Sequence, residues 1–308
     1  MGHVLSLCIP TNGITEWVVP VLESILAQEV DPALYEIVIT DNGCNQEFKS
    51  IVHQYEKKIE NLKYRETAAK GFLNQIESFR MADGELIKFI NHRDALLDGA
   101  LDYLIKYAKT HKEERSPVFF LNGNLNLLPG EHQYDSFDSF VSALSYYSSW
   151  SGGLAIWRED LIQLEEIGDC NALFPHTDLL FLHRSCQSYI IDNTRLVQGI
   201  ENDSTKKGRY NLFYAFSVEY IRILQGLQEK GNISKKTYEK VKSETAWFIA
   251  NLYKDFVLYK IPCSYDLNGF EESVSVFYSP MAIKLRAYQL YGKGKAMGAL
   301  KRLLLKNR

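Results

Sequence analysis

Two stretches, Ile9-Pro10-Thr11-Asn12 and Glu36-Ile37-Val38-Ile39-Thr40-Asp41-Asn42-Gly43, decide the fold of this 308-residue chain. In each, a short apolar run ends in polar residues, as expected of a buried strand that leads into a loop. Between them, residues 16–28 carry apolar side chains at helical spacing. A strand, a helix and a second strand in this order are typical of a βαβ unit, so the sequence predicts a parallel sheet.

The same alternation continues along the first 121 residues. The pattern predicts strands over residues 4–9, 36–40, 62–64, 86–90 and 118–121, and helices over 16–28, 48–59, 72–82 and 98–109. In the middle of the chain we expect a strand over 150–157, helices over 160–167 and 178–185, and a last strand pair near 190–197. Beyond a polar segment at 201–208, long amphipathic helices are predicted over 210–230, 234–257 and 274–291.

Composition excludes several classes of protein. With 46% hydrophobic and 24% charged residues, the chain is neither a fibrous rod nor a disordered tail. A net charge of −3 provides no basic field, so we expect no nucleic-acid partner. The five cysteines are odd in number and widely spaced, which favours reduced thiols and a cytoplasmic location. No apolar run reaches the roughly 18 to 20 residues of a membrane span, and the first residues are typical of a strand rather than a leader.

Polar residues follow three of the predicted strands. Thr11 and Asn12 follow the first, Asp41 and Asn42 the second, and Asn91-His92-Arg93-Asp94 the fourth. In an open parallel sheet, ligands bind beyond the carboxyl ends of the strands. We therefore expect these three groups to lie side by side and to form a ligand site.

The opening residues resemble the start of the family 2 glycosyltransferases. The resemblance consists of the two stretches quoted above, then Glu23-Ser24-Ile25-Leu26-Ala27-Gln28, Gly71, Asn74 and Ala82-Asp83-Gly84-Glu85. It covers residues 3–110 and continues more weakly to about residue 200. It implies an α/β, GT-A fold: a Rossmann-like, mostly parallel sheet flanked by helices. The expected domains are a nucleotide-sugar-binding and catalytic domain, residues 1–200, and a helical C-terminal region with a basic tail, residues 201–308.

The resemblance also implies an activity. Family members transfer a sugar from a nucleotide-diphosphate sugar, here expected to be UDP-linked, with inversion at the anomeric carbon. The acceptor would be a hydroxyl of a glycan or lipid-linked glycan in surface polysaccharide synthesis. By the resemblance, Thr11 and Asp41 contact the nucleobase and ribose, and the other expected donor contacts in this part of the chain are Pro10, Asn12, Asn42 and Gly71.

Residues Asn91 to Asp94 occupy the place of the Asp-x-Asp motif of the family but depart from it. Asn91 replaces the first Asp and Arg93 replaces the presumed metal ligand, which leaves Asp94. In one hypothesis Asp94 holds Mg²⁺ or Mn²⁺ with water and phosphate oxygens. In another, Arg93 neutralises the leaving diphosphate directly. In a third, the site has lost catalysis and the chain is a nucleotide-sugar or glycan-binding scaffold. Asn91 is an expected donor contact, and His92 either contacts the donor phosphate or the metal or is merely hydrogen-bonded.

An inverting transfer needs a base for the acceptor hydroxyl. The resemblance assigns this role to Asp178, with Thr177 in place of the usual Glu. The alternative is that Asp178 only caps the following helix. His176 is the second candidate base, or else a structural residue or an acceptor contact. Trp150 and Gly152 are expected either to shape the sugar pocket or to belong to the core.

Two basic segments complete the predictions. Lys206, Lys207 and Arg209 either close over the donor diphosphate or form a solvated charge run. Residues 284–308 contain eight Lys or Arg and no acid, and leucines lie between the cations. This amphipathic tail predicts attachment to an anionic membrane surface, so the protein would be peripheral on the inner face of the cytoplasmic membrane. The alternative is a helix packed on its own protein or in a homodimer. A nucleotidyltransferase is disfavoured because no glycine-rich basic loop follows the first strand.

Overall fold

The computed structural model describes residues 2–162, 170–200, 205 and 208–306, with side chains as far as residue 293 and at residue 295. The chain divides into two compact units, Met1–Asn202 and Asp203–Arg308.

The first unit is built on a sheet that, over the described residues, has eight strands. They are β1 (Leu5–Thr11), β2 (Tyr35–Asp41), β3 (Leu62–Glu66), β4 (Leu86–Phe89), β6 (Val118–Phe120), β7 (Glu131–Tyr134), β8 (Leu154–Trp157) and β9 (Tyr189–Asp192), in the order β3-β2-β1-β4-β8-β6-β9-β7. All are parallel except β7 and β8. A small antiparallel ribbon pairs β5 (Asp94–Leu96) with β10 (Val197–Gly199). This is the mostly parallel sheet that the sequence predicts.

Helices flank this sheet. They are α1 (Thr15–Leu26), α2 (Gln46–Glu56), α3 (Asn74–Met81), α4 (Ala100–His111), α5 (Phe137–Leu144) and α6 (Pro175–Leu180), with short 3₁₀ turns at Pro32–Leu34, Gly71–Leu73, Ser145–Ser149 and Ser151–Gly153. The central strands are buried on both faces, so they are mainly apolar, with Ser6, Glu36 and Lys88 as buried polar exceptions. In the register of β1 and β2, Thr11 lies opposite Asp41, and their polar ends therefore meet.

The first strand continues past the proline that was expected to end it. Pro10 pairs with Thr40 inside β1, and the strand ends at Thr11. Proline is tolerated here because β1 pairs with β4 only as far as Cys8, opposite Phe89. Beyond that residue, β4 needs no ladder hydrogen bond from the missing N–H of Pro10.

Other predicted elements differ in their bounds. The strand expected over 150–157 begins at Leu154, because residues 151–153 form a 3₁₀ turn. The helix expected over 178–185 is α6, which begins at Pro175 and ends at Leu180; proline suits the first turn because its missing N–H has no helical partner there. The helix expected over 160–167 lies mostly outside the described residues. The elements β5, β7 and α5 had not been predicted.

The second unit is helical. It comprises α7 (Leu212–Tyr214, a π-helical turn Ala215–Glu219 and Tyr220–Glu229), α8 (Lys235–Tyr253, then a π-helical turn Lys254–Leu258), α9 (Phe270–Ser275) and α10 (Pro280–Lys306). The single helix expected over 274–291 is therefore two helices, with Pro280 opening the second. A separate apolar cluster holds this unit together. Within the described part of the chain, none of the helices has the length and hydropathy to cross a membrane.

Candidate active site

The ends of β1 and β2 are joined by hydrogen bonds around Thr11. Its carbonyl oxygen accepts from the Asn42 N–H and the Asn74 side-chain amide, each at 3.1 Å. Its hydroxyl oxygen accepts from the Gly13 N–H at 3.1 Å and lies 2.9 Å from Nδ1 of His92. Thr11 therefore links the first, second and fourth strand ends, as the polar pattern of the sequence predicts.

Asp41 is almost fully buried at the end of β2. One carboxylate oxygen accepts from the Gly43 N–H at 2.7 Å and the other from the Tyr64 hydroxyl at 3.0 Å. Burial and the charge of Asp41 raise the pKa of Tyr64, which keeps the phenol protonated and donating. Gly43 must be glycine, because a Cβ there would lie 2.0 Å from the carbonyl oxygen of Asn12.

Asn42 positions the neighbouring loop. Its amide donates to the carbonyls of Ala69, at 2.9 Å, and Gly71, at 3.1 Å. Gly71 itself is exposed and has a positive φ of 53°, a conformation that favours glycine. The side chain of Asn12 is exposed. The expected donor contacts from Pro10 to Gly71 therefore lie at one edge of the sheet.

The altered motif after β4 is a tight turn closed by its own side chains. The Asp94 N–H donates to the Asn91 carbonyl at 2.9 Å, and the Asn91 side-chain oxygen accepts from the N–H of Arg93 at 3.1 Å and from its Nε at 3.3 Å. The guanidinium lies 5.3 Å above the ring of Trp17. Among the residues the structure describes, no carboxylate pairs with Arg93.

His92 does not add a second charge to this turn. Burial, and to a lesser extent the neighbouring Arg93 guanidinium, lower the pKa of His92 to about 3. Its ring packs edge-on against Trp17, with centroids 5.1 Å apart. His92 is therefore neutral near pH 7 and contributes hydrogen bonding rather than charge.

The donor atoms for a divalent cation are few. Asp94 starts β5, lies opposite Gly199 and is partly exposed. It is the one carboxylate of the motif, because Asn91 is an amide whose oxygen already accepts from Arg93. In the described parts of the chain there is no group of three or more His, Cys, Asp or Glu side chains that could hold a metal ion. The motif itself thus supplies one carboxylate and one guanidinium, a set that does not fit a metal cage made by the protein.

A buried lysine in β4 connects the motif to the other half of the site. The Lys88 ammonium donates to the carbonyls of Gly152 at 2.6 Å, Phe89 at 2.8 Å and Leu154 at 3.4 Å. Burial lowers the pKa of Lys88 to about 7, and the charge of Asp94 partly opposes this effect. Our sequence analysis did not identify Lys88, although a single cation within the apolar run of residues 86–90 was a usable signal.

The turn before β8 is shaped by two aromatic rings. A Cβ on Gly152 would lie 2.5 Å from the ring of Trp150, and a Cβ on Gly153 would lie 2.2 Å from the ring of Phe119. Both glycines are thus required because aromatic rings pack directly on the backbone. Trp150 remains partly exposed, and its ring contacts Phe119 edge-on with centroids 6.3 Å apart.

Helix α6 is docked onto this turn through buried side chains. The Thr177 hydroxyl donates to the Ser148 carbonyl at 2.9 Å, and Nε2 of His176 donates to the Ser149 carbonyl at 2.8 Å. Burial lowers the pKa of His176 to about 4, so the ring is neutral near pH 7 with its proton on Nε2. These bonds support the structural alternative for His176.

Asp178, the next residue of α6, is only partly buried. One carboxylate oxygen accepts from the backbone N–H of Asn171 at 2.6 Å. Burial raises the pKa of Asp178, while this hydrogen bond and the charge of Arg184 oppose the rise. A carboxylate with a raised pKa is a better proton acceptor than an ordinary aspartate.

The comparison with known proteins identifies the class of enzyme. The family model described as "Glycosyl transferase family 2" matches residues 6–124, which include β1, β2, β4 and the Asn91 to Asp94 turn. Residues 6–124 thus match a family 2 glycosyltransferase domain, and the protein is a glycosyltransferase.

A curated relative is also a glycosyltransferase, and solved structures share the fold. The glycosyltransferase is 24% identical over 278 residues to the GalNAc(5)-diNAcBac-PP-undecaprenol beta-1,3-glucosyltransferase of Campylobacter jejuni, covering 83% of this chain and 86% of the relative. Its fold is similar to that of S. aureus TarS 1-349 in complex with UDP-GlcNAc, with a TM-score of 0.59 at 14% identity, covering 93% of this chain and 89% of TarS 1-349. The UDP complex of the same fragment gives a TM-score of 0.55 at 18% identity over 88% of this chain and 75% of the fragment. The fold is GT-A.

The structure does not test the roles predicted for Lys206, Lys207 and Arg209 of the glycosyltransferase. Lys206 and Lys207 lie outside the described residues. Arg209 belongs to the second unit, at its beginning. Their roles at the donor diphosphate stay predictions. Conversely, Trp17 and Tyr64 contact site residues and were missed, because nothing in sequence spacing links them to the strand ends.

Proposed function

We propose that this glycosyltransferase transfers a sugar from a UDP-sugar to a hydroxyl of a lipid-linked glycan, with inversion at the anomeric carbon. The C. jejuni relative supports the lipid-linked acceptor by its name, and the TarS complexes support UDP as the nucleotide. Inversion rests on the family resemblance. A single candidate base, Asp178, is what an inverting transfer requires.

The observation that carries this proposal is the guanidinium of Arg93. It lies at the carboxyl end of β4, is held by Asn91 and Trp17, and has no carboxylate partner among the described residues. A guanidinium binds phosphate oxygens through forked, charge-assisted hydrogen bonds. We therefore place the donor diphosphate at Arg93. There the guanidinium neutralises the negative charge that grows on the leaving group.

Asp178 provides the base. Its carboxylate takes the proton of the acceptor hydroxyl while that oxygen attacks the anomeric carbon, and the bond from that carbon to the diphosphate oxygen breaks. The nucleoside diphosphate leaves with the electron pair and is stabilised by Arg93. The dependence of the reaction on Mg²⁺ or Mn²⁺ through Asp94 remains a prediction, and no step above requires it.

Thermal melting with nucleotides tests the donor site. The protein would be melted with UDP-, GDP-, CMP- and dTDP-sugars, each with Mn²⁺ or with EDTA. A ligand that binds only the folded state raises the midpoint by mass action. We expect the UDP-sugar shift to persist in EDTA, to disappear in Arg93→Ala and to return in part in Arg93→Lys. Arg80→Ala, an exposed arginine of α3, is the matched control and should behave as wild type. A shift that needs Mn²⁺ and survives Arg93→Ala would instead place the diphosphate on a metal.

A further inference from the structure

We infer that Tyr146, Tyr147 and Trp150 form a subsite that binds a pyranose ring of the glycan acceptor. This inference rests on the proposed function and names a part of its acceptor site. We refer to residues 145–150 as the aromatic segment. It connects α5 to the glycine turn before β8.

The three aromatic side chains of this segment are all partly exposed. Tyr146 and Tyr147 stack on each other, with centroids 4.6 Å apart and planes inclined by 26°. One face of Trp150 packs on the backbone at Gly152. Among the described residues, its indole N–H has no acceptor. Exposed rings with polar groups at their edges suit a sugar, which presents an apolar face and hydroxyls.

The backbone of the segment is held from several sides. The carbonyls of Ser148 and Ser149 accept from side chains of α6, and the Tyr147 hydroxyl donates to the Asn124 carbonyl at 3.1 Å. Ser145 has a φ of 55°, a conformation that costs energy in a residue other than glycine. A surface fixed in this way loses little freedom when a ligand binds, which favours recognition.

The charge of the segment points to a neutral ligand. No charged residue occurs between Asp138 and Arg158. A nucleotide phosphate would require cations, whereas an uncharged sugar requires ring faces and neutral hydrogen-bonding groups. The same α6 that binds Ser148 and Ser149 carries Asp178. A sugar on the segment would thus lie beside the helix that supplies the base, as an acceptor must.

Saturation-transfer NMR tests this subsite on the full chain with saturating UDP. The probes are methyl N-acetyl-β-galactosaminide and methyl β-glucoside, and the aromatic protons of the protein are irradiated. We expect transfer to the ring C–H protons of at least one glycoside. Tyr146→Leu and Trp150→Leu should each weaken its binding about five- to tenfold. Tyr146→Phe, which keeps the ring, should retain most of the binding.

Two controls make the outcomes decisive. Tyr55→Leu, at a partly exposed tyrosine of α2, should leave the transfer unchanged. The melting shift with UDP must stay at its wild-type value in every variant, which also shows that each variant is folded. Absence of transfer to both glycosides, or wild-type transfer in Tyr146→Leu and Trp150→Leu, overturns the subsite while leaving the donor site intact. Loss of the UDP shift in the wild-type protein would instead contradict the proposed function.

Discussion

At the scale of single residues, the chemistry of the acceptor side depends on the partial burial of Asp178. Its carboxylate is stabilised by one backbone N–H, from Asn171, and destabilised by removal from water. His176, two residues before it, is the weaker candidate base, because burial lowers its pKa to about 4 and Nδ1, the nitrogen that could accept a proton, is itself buried. One side chain of α6 thus retains the ability to accept a proton near neutral pH.

Replacing Asp178 by Asn should abolish most of the activity without unfolding the protein. We expect kcat to fall by about 10²- to 10⁴-fold, the usual contribution of a general base. The amide oxygen can still accept from the Asn171 N–H, so the melting temperature should be retained or rise. Radiolabelled sugar transfer and thermal melting measure the two quantities. Near-normal turnover in Asp178→Asn would show that another group is the base.

The dependence of kcat on pH should reflect the same carboxylate. Because burial raises the pKa of Asp178, the acid limb of kcat should lie above the ordinary aspartate range, with activity rising as the carboxylate loses its proton. The free energy of unfolding changes with pH in the opposite direction to kcat. The folded state holds this proton more tightly than the unfolded state, so the contribution of Asp178 to stability decreases as the pH rises through its pKa. A kcat profile whose acid limb lies at the ordinary aspartate pKa would contradict this assignment.

At the scale of elements, the turn between the aromatic segment and β8 contacts both β4 and the ring of Trp150. The Gly152 carbonyl accepts from Lys88 of β4, and its α-carbon faces the ring of Trp150. The strand that carries the donor motif and the segment that carries the aromatic rings are therefore fixed to each other through one residue.

Adding a methyl group at this turn should displace the Trp150 ring. Gly152→Ala places a Cβ 2.5 Å from it, so we expect a loss of about 1–3 kcal/mol in the free energy of unfolding, the usual cost of overpacking. The acceptor KM should rise while UDP binding is retained. Gly226→Ala is the matched control, because no atom lies within 4 Å of the added Cβ in α7, and its stability should stay equal or increase. Urea unfolding measures both. Equal stability of Gly152→Ala and wild type would show that the turn adapts.

At the scale of the whole molecule, the last helix of the second unit has exposed apolar side chains, and we predict that it binds a membrane surface. Ile283 and Ala287 of α10 are buried in the core of this unit, whereas Met281, Leu285 and Tyr288 on another side of the helix are 66%, 57% and 55% exposed. Residues 284–308 add eight cations and no acid. This charge is complementary to anionic lipid and repels a second copy of the same helix.

Binding to vesicles tests this surface. The protein should sediment with phosphatidylglycerol vesicles and much less with phosphatidylcholine, and 0.5 M salt should reduce binding. Leu285→Gln with Tyr288→Gln should weaken binding about tenfold or more, because two apolar side chains no longer enter the interface. Val276→Gln, at a residue 50% exposed outside α10, is the control. Equal binding to both lipids, or a dimer that the double variant dissociates, would assign the face to protein contact.

Much of the fold could be predicted because apolar periodicity identifies buried strands directly. β1, β2 and β4 are mainly apolar because both of their faces are covered. β7 escaped prediction because Glu131-His132-Gln133-Tyr134 is a polar strand at the edge of the sheet. α5 had a usable signal, an N-cap at Ser136 before apolar residues at helical spacing, which we did not interpret as a helix.

The amino-acid sequence by itself determined the alternation of β1 to β4 with α1 to α3, the polar ends of three strands and the resemblance to a family, since these depend on local periodicity and on ordered motifs. Only the tertiary structure decided what the polar residues do. That Arg93 packs on Trp17, that Lys88 joins β4 to Gly152, and that Nε2 of His176 is bonded to Ser149 all depend on contacts between residues distant in the chain. Strand register and burial create those contacts, and burial then sets the pKa of each group, which no spacing in the sequence encodes.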